Sequence, residues 1–358
     1  MQFPCVPGQT ILRIPRKAKS MRKPDSQTLF LGTVIAGSIV LLGYLAMFYG
    51  NGEASSRPAY RSTLHLVEIP FNGQRAYQFL QDISDLGPRP SGSEGMAQQQ
   101  KMLAEHFERL GGRVNRQQFR ARHPEDGSAV VMANLLVEWH PQRTERVLLC
   151  AHYDTRPFPD RDPDPRRRKG IFVGANDGAS GVAVLTEMAY HMRDLDSKYG
   201  VDFVLFDGEE FVFDDRRDKY FLGSEFFARN YVAQPPAYRY RWGVLLDMVG
   251  DADLQLFQEK HSKRWSDTRP LVVDIWNTAN RLGVTEFIVR PRHKVRDDHL
   301  MLHDIGKIPT CDIIDFDYPR PGAKISYWHT EADTADKCSA LSLAKVGWVV
   351  HVWLQELK

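Results

Sequence analysis

From about residue 131 onward, apolar runs of strand length alternate with helical patterns, and several of the runs stop at a histidine or a carboxylate. Strand-like runs at 131–138, 146–151, 201–206, 242–246 and 308–316 are interleaved with helices after Asp177, at 224–231, at 271–282 and from Leu341 onward. That alternation predicts a three-layer α/β/α domain with a mostly parallel central sheet covered by helices on both faces. Two amphipathic patterns precede it. One, at 74–86, places Ala76, Phe79, Leu80, Ile83 and Leu86 on one face; the other, at 94–110, does the same for Met102, Leu103, His106, Phe107 and Leu110.

The first 68 residues read differently. Arg13, Arg16, Lys17, Lys19, Arg22 and Lys23 precede an uncharged run at 28–49, and a span of about 20 apolar residues crosses a bilayer core as a helix. The run is longer than the apolar part of a signal peptide and lacks a clear cleavage pattern, so an uncleaved signal anchor is expected. The positive-inside rule then makes 1–27 a basic cytoplasmic tail and puts the rest outside the cytoplasm. Residues 50–68 read as a linker and 69–358 as the catalytic domain. A formal net charge of +2 carries no nucleic-acid signature. Of the four cysteines, Cys5, Cys150, Cys311 and Cys338, none has the spacing of a zinc ligand, and Cys150 at the end of an apolar run reads as a buried free thiol.

Candidate chemistry falls where the strands end. His152 and Asp154 follow the run at 146–151, Asp207, Glu209 and Glu210 follow the run at 201–206, and Asp247 follows the run at 242–246. In open α/β sheets, ligands bind beyond the carboxyl ends of the strands. Singly, each residue has an ordinary explanation: Asp177 as a helix N-cap, His152 as a core histidine, the two glutamates as surface residues, and Asp297 with Asp298 as helix caps. Together with His329, they are the parts of a catalytic zinc site, with imidazole and carboxylate ligands, an open position and a base. A charged, proline-rich insertion at 157–169 reads as a solvated loop that could reach the rim of such a site.

The segments Gly87-Pro88-Arg89-Pro90-Ser91-Gly92, His152-Tyr153-Asp154, Asn176-Asp177, Glu209-Glu210, Gly223-Ser224, Asp247 and His329-Thr330 resemble the zinc aminopeptidases of the M28 type over about residues 70–355. Within that family the chain is most similar to the glutaminyl-peptide cyclotransferases, through Asp207-Gly208 before the glutamate pair, Asp297-Asp298-His299, and Trp328 before His329. The resemblance implies a phosphorylase/hydrolase-like fold. It also implies zinc ligands Asp177, Glu210 and His329, a proton-shuttling Glu209 with Asp247 and Asp297 in its network, and Trp328 along the substrate. In the two-zinc peptidases the positions matching His152 and Asp247 hold a second metal, so one zinc per chain is expected, with two as the alternative. Departures from the cyclase pattern are Ala151 where a disulfide cysteine is common, and the absence of a tryptophan shortly after the glutamate pair.

The implied reaction is cyclisation of the N-terminal glutamine of peptide or protein substrates to pyroglutamate, with release of ammonia. A membrane-anchored M28 zinc aminopeptidase is the alternative enzyme. A non-enzymatic, receptor-like ectodomain is the alternative of another class, and the complete set Asp177, Glu209, Glu210 and His329 argues against it.

Overall fold

The structure, a computed structural model, describes residues 60–320 and 326–357. Its helices and strands run in the order α1 (Gly73–Asp85), α2 (Glu94–Arg109), β1 (Arg113–Arg122), β2 (Ala129–Trp139), β3 (Glu145–His152), α3 (Ser180–Met192), β4 (Gly200–Phe206) and α4 (Leu222–Ala233). Then follow β5 (Arg239–Asp247), β6 (Leu256–Glu259), α5 (Lys260–Arg264), α6 (Arg269–Arg281), β7 (Phe287–Arg292), α7 (Asp298–Asp304), β8 (Thr310–Ile314) and α8 (Ala340–Glu356). The expected α/β alternation is present, with boundaries moved by a few residues.

Six strands form one sheet in the order β1-β2-β4-β3-β5-β8. The four consecutive strands β4, β3, β5 and β8 are parallel, with β8 at the edge, whereas β2 pairs antiparallel with both β4 and β1. Successive side chains on a strand face opposite sides of the sheet, and here both sides are covered. Val147, Leu149 and Ala151 of β3 join the large core under α1, α3 and α8, while Leu148 and Cys150 join a second core with Phe227 of α4 and Leu302 of α7. Strands covered on both faces must be apolar at consecutive positions, which is why these runs are continuous rather than alternating.

Two strand regions were not expected. β1 is an exposed edge, with Phe119 its one buried side chain, and β6 and β7 form a separate two-stranded parallel pair. The segment read as a linker is, from Tyr60 onward, held to the domain. The Ser62 amide donates to Glu286 Oε1 at 3.0 Å, beside the buried Lys345 Nζ at 2.6 Å, and Thr285 Oγ1 donates to the Tyr60 carbonyl. Cys150, Cys311 and Cys338 are all buried free thiols, as expected for Cys150. Among the described residues no helix is long and apolar enough to cross a membrane. The basic tail at 1–27 and the anchor expected at 28–49 lie outside the described residues.

Candidate metal centre

The order reverses at strand β3: the chain passes from β3 to β4 on one side and then crosses from β4 to β5 on the other side of β3. The crevice at such a point opens beyond the carboxyl ends of the strands. His152 is the last residue of β3, directly across from Phe206 at the end of β4, and Asp247 ends β5. Beyond Phe206 the chain turns at Gly208, with φ of +76°, to present Glu209 and Glu210. Asp154 secures that turn: its Oδ1 accepts the Glu209 amide at 3.1 Å and its Oδ2 the Glu210 amide at 3.0 Å.

Asp177 does not cap a helix. The cap position of α3 is Ala179, without a side-chain cap, and Ser180 Oγ donates instead to the Asn176 carbonyl at 2.6 Å. The Asp177 carboxylate is left free to face two histidines, with Oδ1 3.2 Å from His152 Nε2 and Oδ2 3.2 Å from His329 Nε2. Its backbone is fixed from below by Asp333, whose two oxygens accept the Asn176 and Asp177 amides at 2.8 and 3.1 Å. Gly178, at φ of +99°, lies so close to the site that a Cβ there would stand 2.6 Å from the Asp154 carbonyl. No β-carbon fits.

Around these residues is a cavity of about 350 Å³, lined by Asp177, Glu209, Glu210, Asp247, Asp297 and His329, with Trp328 and Phe316 as an apolar wall. Phe221, Met248 and His329 border it and hold φ of +61°, +46° and +56°, a left-handed conformation that bulky residues keep only where the surroundings impose it. Asp297 both caps α7, accepting the Asp298 amide at 2.6 Å, and lines the cavity, so the two explanations for it coexist. Behind it, His299 is fully buried between Glu259 and Asp312, with a carboxylate oxygen 3.5 Å from each ring nitrogen.

The electrostatics are dominated by carboxylates in low dielectric. Burial pushes Glu209 well above the usual carboxylate range; His152 opposes this, and Glu210, Asp297 and Asp298 reinforce it. Burial also raises Asp297, helped by Asp247 and Asp298, and raises Asp247 against the pull of His152. For Asp177 burial acts in the same direction, but His152 and His329 override it and hold the group below the ordinary range. Burial would lower His329, yet Glu210 and Asp177 keep it up at about 9. Such a site calls for a cation.

The donor set fits zinc. His329 Nε2 stands 2.9 Å from Glu210 Oε1 and 3.2 Å from Asp177 Oδ2, while Asp177 Oδ2 is buried and has no hydrogen-bond donor. Ligand-type atoms that lie this close together converge on a shared point. Two ligands at zinc–oxygen or zinc–nitrogen distances of about 2.0–2.2 Å in a tetrahedral arrangement stand roughly 3.3–3.6 Å apart. His152, Asp177 and Glu210 also offer donor atoms within 4.8 Å of one another, and His152 Nε2 is hydrogen-bonded to Asp247 Oδ1 at 3.2 Å. Asp177 therefore joins two overlapping donor sets.

Eight of the residues singled out from the sequence meet here, His152, Asp177, Glu209, Glu210, Asp247, Asp297, Trp328 and His329, whereas the Asp207 carboxylate does not line the cavity and accepts instead from Ser91 Oγ at 2.6 Å and the Ala133 amide at 2.8 Å. Sequence reasoning missed Asp333 and Arg156. Arg156 is buried with its Nη1 3.4 Å from Glu210 Oε1, its Nε donating to Asp160 at 2.7 Å, and its other Nη paired with Asp215. The insertion at 157–169 does reach the rim, through Arg161.

The sequence profile of peptidase family M28 matches residues 134–354. Among solved structures, a glutaminyl cyclase of Fimbriiglobus ruber is 39% identical with a TM-score of 0.75, covering 85% of this chain and 100% of that one. A Zn-dependent exopeptidase of Parabacteroides distasonis is 33% identical with a TM-score of 0.72, covering 79% of this chain and 98% of that one. An uncharacterized protein of Saccharomyces cerevisiae is 30% identical over 215 residues, 54% of this chain and 51% of its own length. The chain spans about half or less of the length of the curated relatives it matches.

Proposed function

This chain belongs to peptidase family M28, and we propose that it acts as a zinc-dependent glutaminyl-peptide cyclotransferase, converting the N-terminal glutamine of peptides to pyroglutamate with release of ammonia. The observation that carries this reading is the setting of Glu209. It is buried next to the Asp177, Glu210 and His329 donor set, among carboxylates that favour its holding a proton, in a cavity walled by Trp328. The greater identity to the cyclase of Fimbriiglobus ruber than to the exopeptidase of Parabacteroides distasonis points the same way.

Asp177, Glu210 and His329 would hold the metal, which when bound supplies Lewis-acid polarisation of the glutamine γ-carbonyl. Glu209 accepts a proton from the α-amine as that nitrogen attacks the carbonyl carbon of the side-chain amide, Cδ, and returns it to the departing amide nitrogen, which leaves as ammonia. A bond forms between the α-nitrogen and Cδ, closing a five-membered lactam, and the bond from Cδ to the side-chain amide nitrogen breaks. Trp328 and Phe316 narrow the space around the side chain, which favours the folded, intramolecular geometry and excludes competing water. Asp297 acts on Glu209 by like-charge repulsion, and Asp247 acts in turn on Asp297, which keeps Glu209 poised between donor and acceptor.

One specific observation favours a second reading, an M28 zinc aminopeptidase. His152 and Asp247 stand beside Asp177 Oδ1 as a second donor set, and a peptidase would use it to hold a second ion and activate water. Metal analysis separates the two readings. A cyclase retains one zinc per chain and regains activity with one equivalent after chelation, whereas two tightly held ions, one of them lost in His152→Ala, would support the peptidase.

We propose further that the chain is a single-pass membrane protein, with 1–27 cytoplasmic, 28–49 as a signal anchor and the catalytic domain on the extracytoplasmic side. The support is the uncharged run and the basic residues before it. Peptides exposed there by signal-sequence cleavage would be its substrates.

A further inference from the structure

We propose that the mouth of the cavity selects an acidic residue directly after the N-terminal glutamine, read by Arg161, Lys294 and Arg296; this rests on the cyclase reading above. The floor of the cavity carries Asp177, Glu209, Glu210, Asp247 and Asp297, and its exposed mouth carries the three cations. Asp215 is the acidic residue at that mouth, and it is already engaged by the buried Arg156 and by Tyr220 Oη at 2.6 Å, with Arg161 3.9 Å away. Among the described residues, neither Lys294 nor Arg296 has a carboxylate within 4.0 Å.

Aromatic faces hold two of these cations at the opening. Arg161 lies 4.1 Å over the Trp328 ring, and Arg296 lies 5.7 and 5.9 Å from the Tyr220 and Phe221 rings. Stacking of this kind leaves the guanidinium N–H groups free to meet a carboxylate. The field therefore runs from positive at the mouth to negative at the floor. A substrate with its amine inside and a carboxylate one residue further out matches that gradient. The spacing suits it, because successive Cα atoms are about 3.8 Å apart and a cavity of about 350 Å³ is at the small end for a ligand cleft. Little beyond the glutamine fits below the rim. A lysine at the second position would meet like charge.

The test uses the full-length protein in detergent, loaded with zinc, and two peptides of equal composition and net charge, Gln-Glu-Ala-Ala and Gln-Ala-Ala-Glu. An exposed ion pair contributes up to about fivefold, and more than one cation reads the carboxylate, so kcat/KM is expected to be about five- to tenfold higher for the first peptide. The double variant Lys294→Gln/Arg296→Gln brings that ratio toward one. So does about 1 M salt, where the screening length falls to about 3 Å. Equal rates for the two peptides, or a preference that survives both the double variant and salt, overturns the proposal. If neither peptide yields pyroglutamate, the reading on which it rests fails and the preference falls with it.

Discussion

Asp154 fixes Glu209 through the backbone: the same carboxylate that accepts the Glu209 amide at 3.1 Å accepts that of Glu210 at 3.0 Å, so one buried side chain orients both the proposed base and a proposed metal ligand. Loss of such a supporting group commonly costs 10–100-fold in metal affinity or activity. Asp154→Ala is expected to weaken zinc binding and to lower kcat by about that range. It also leaves two buried amides without acceptors, at about 1–3 kcal/mol each. Chelator competition and thermal denaturation measure the two effects; a variant with wild-type zinc affinity and kcat would remove Asp154 from the site.

The glutamate pair divides into two roles that mutation separates. Glu209→Gln keeps the shape but cannot accept the proton, so kcat is expected to fall by about 10²–10⁴-fold while zinc content stays near wild type. Glu210→Gln is expected to lose zinc instead, and activity with it. Atomic absorption alongside turnover reads both. Metal loss in the first variant, together with metal retention and activity in the second, would reverse the assignment.

What the sequence made legible follows from how each residue is used. The strands of the sheet centre are covered on both faces and so appear as unbroken apolar runs, with His152, Phe206 and Asp247 at their ends. β1 escaped notice because its ten residues are mostly exposed and polar, with Phe119 alone buried. Among the site residues, those that would touch metal or substrate stand in compact motifs. Those that hold them do not: Asp333 works through the amides of Asn176 and Asp177, 157 and 156 positions away in the chain, and nothing local marks it. Arg156 sits just ahead of the charged insertion at 157–169 with no motif of its own to mark it, although its guanidinium is buried against Glu210. Asp177 precedes a helix as a cap would, and only the fold shows that its carboxylate turns to the histidines.

Far from the site, His351 links stability to pH. Burial lowers it to about 4, helped by the His191 ring 4.5 Å away; beyond His191 lies Glu187, which pairs with Arg75. The folded state therefore holds His351 neutral below its ordinary value of 6.5, while the unfolded chain takes up the proton. Stability from this residue is full above about pH 6.5, falls as the pH drops toward about 4, and is level below that. His351→Phe is expected to flatten this part of the profile in denaturant titrations at about pH 7 and about pH 4.5. An unchanged slope would contradict it.

The anchor is tested on sealed membranes with the catalytic domain inside. Added protease is expected to trim only the basic tail before residue 28. Digestion of the whole domain, or a mature soluble protein starting near Ala54, would refute the topology and leave the catalytic assignment standing.

Cyclisation itself is tested most directly by incubating the zinc-loaded protein with a glutamine-initiated peptide and, separately, with an ordinary aminopeptidase substrate. The expected result is ammonia and an intact, pyroglutamyl peptide from the first, with no amino acid released from the second. Free glutamine and stepwise shortening, without ammonia, would contradict the cyclase and identify the aminopeptidase.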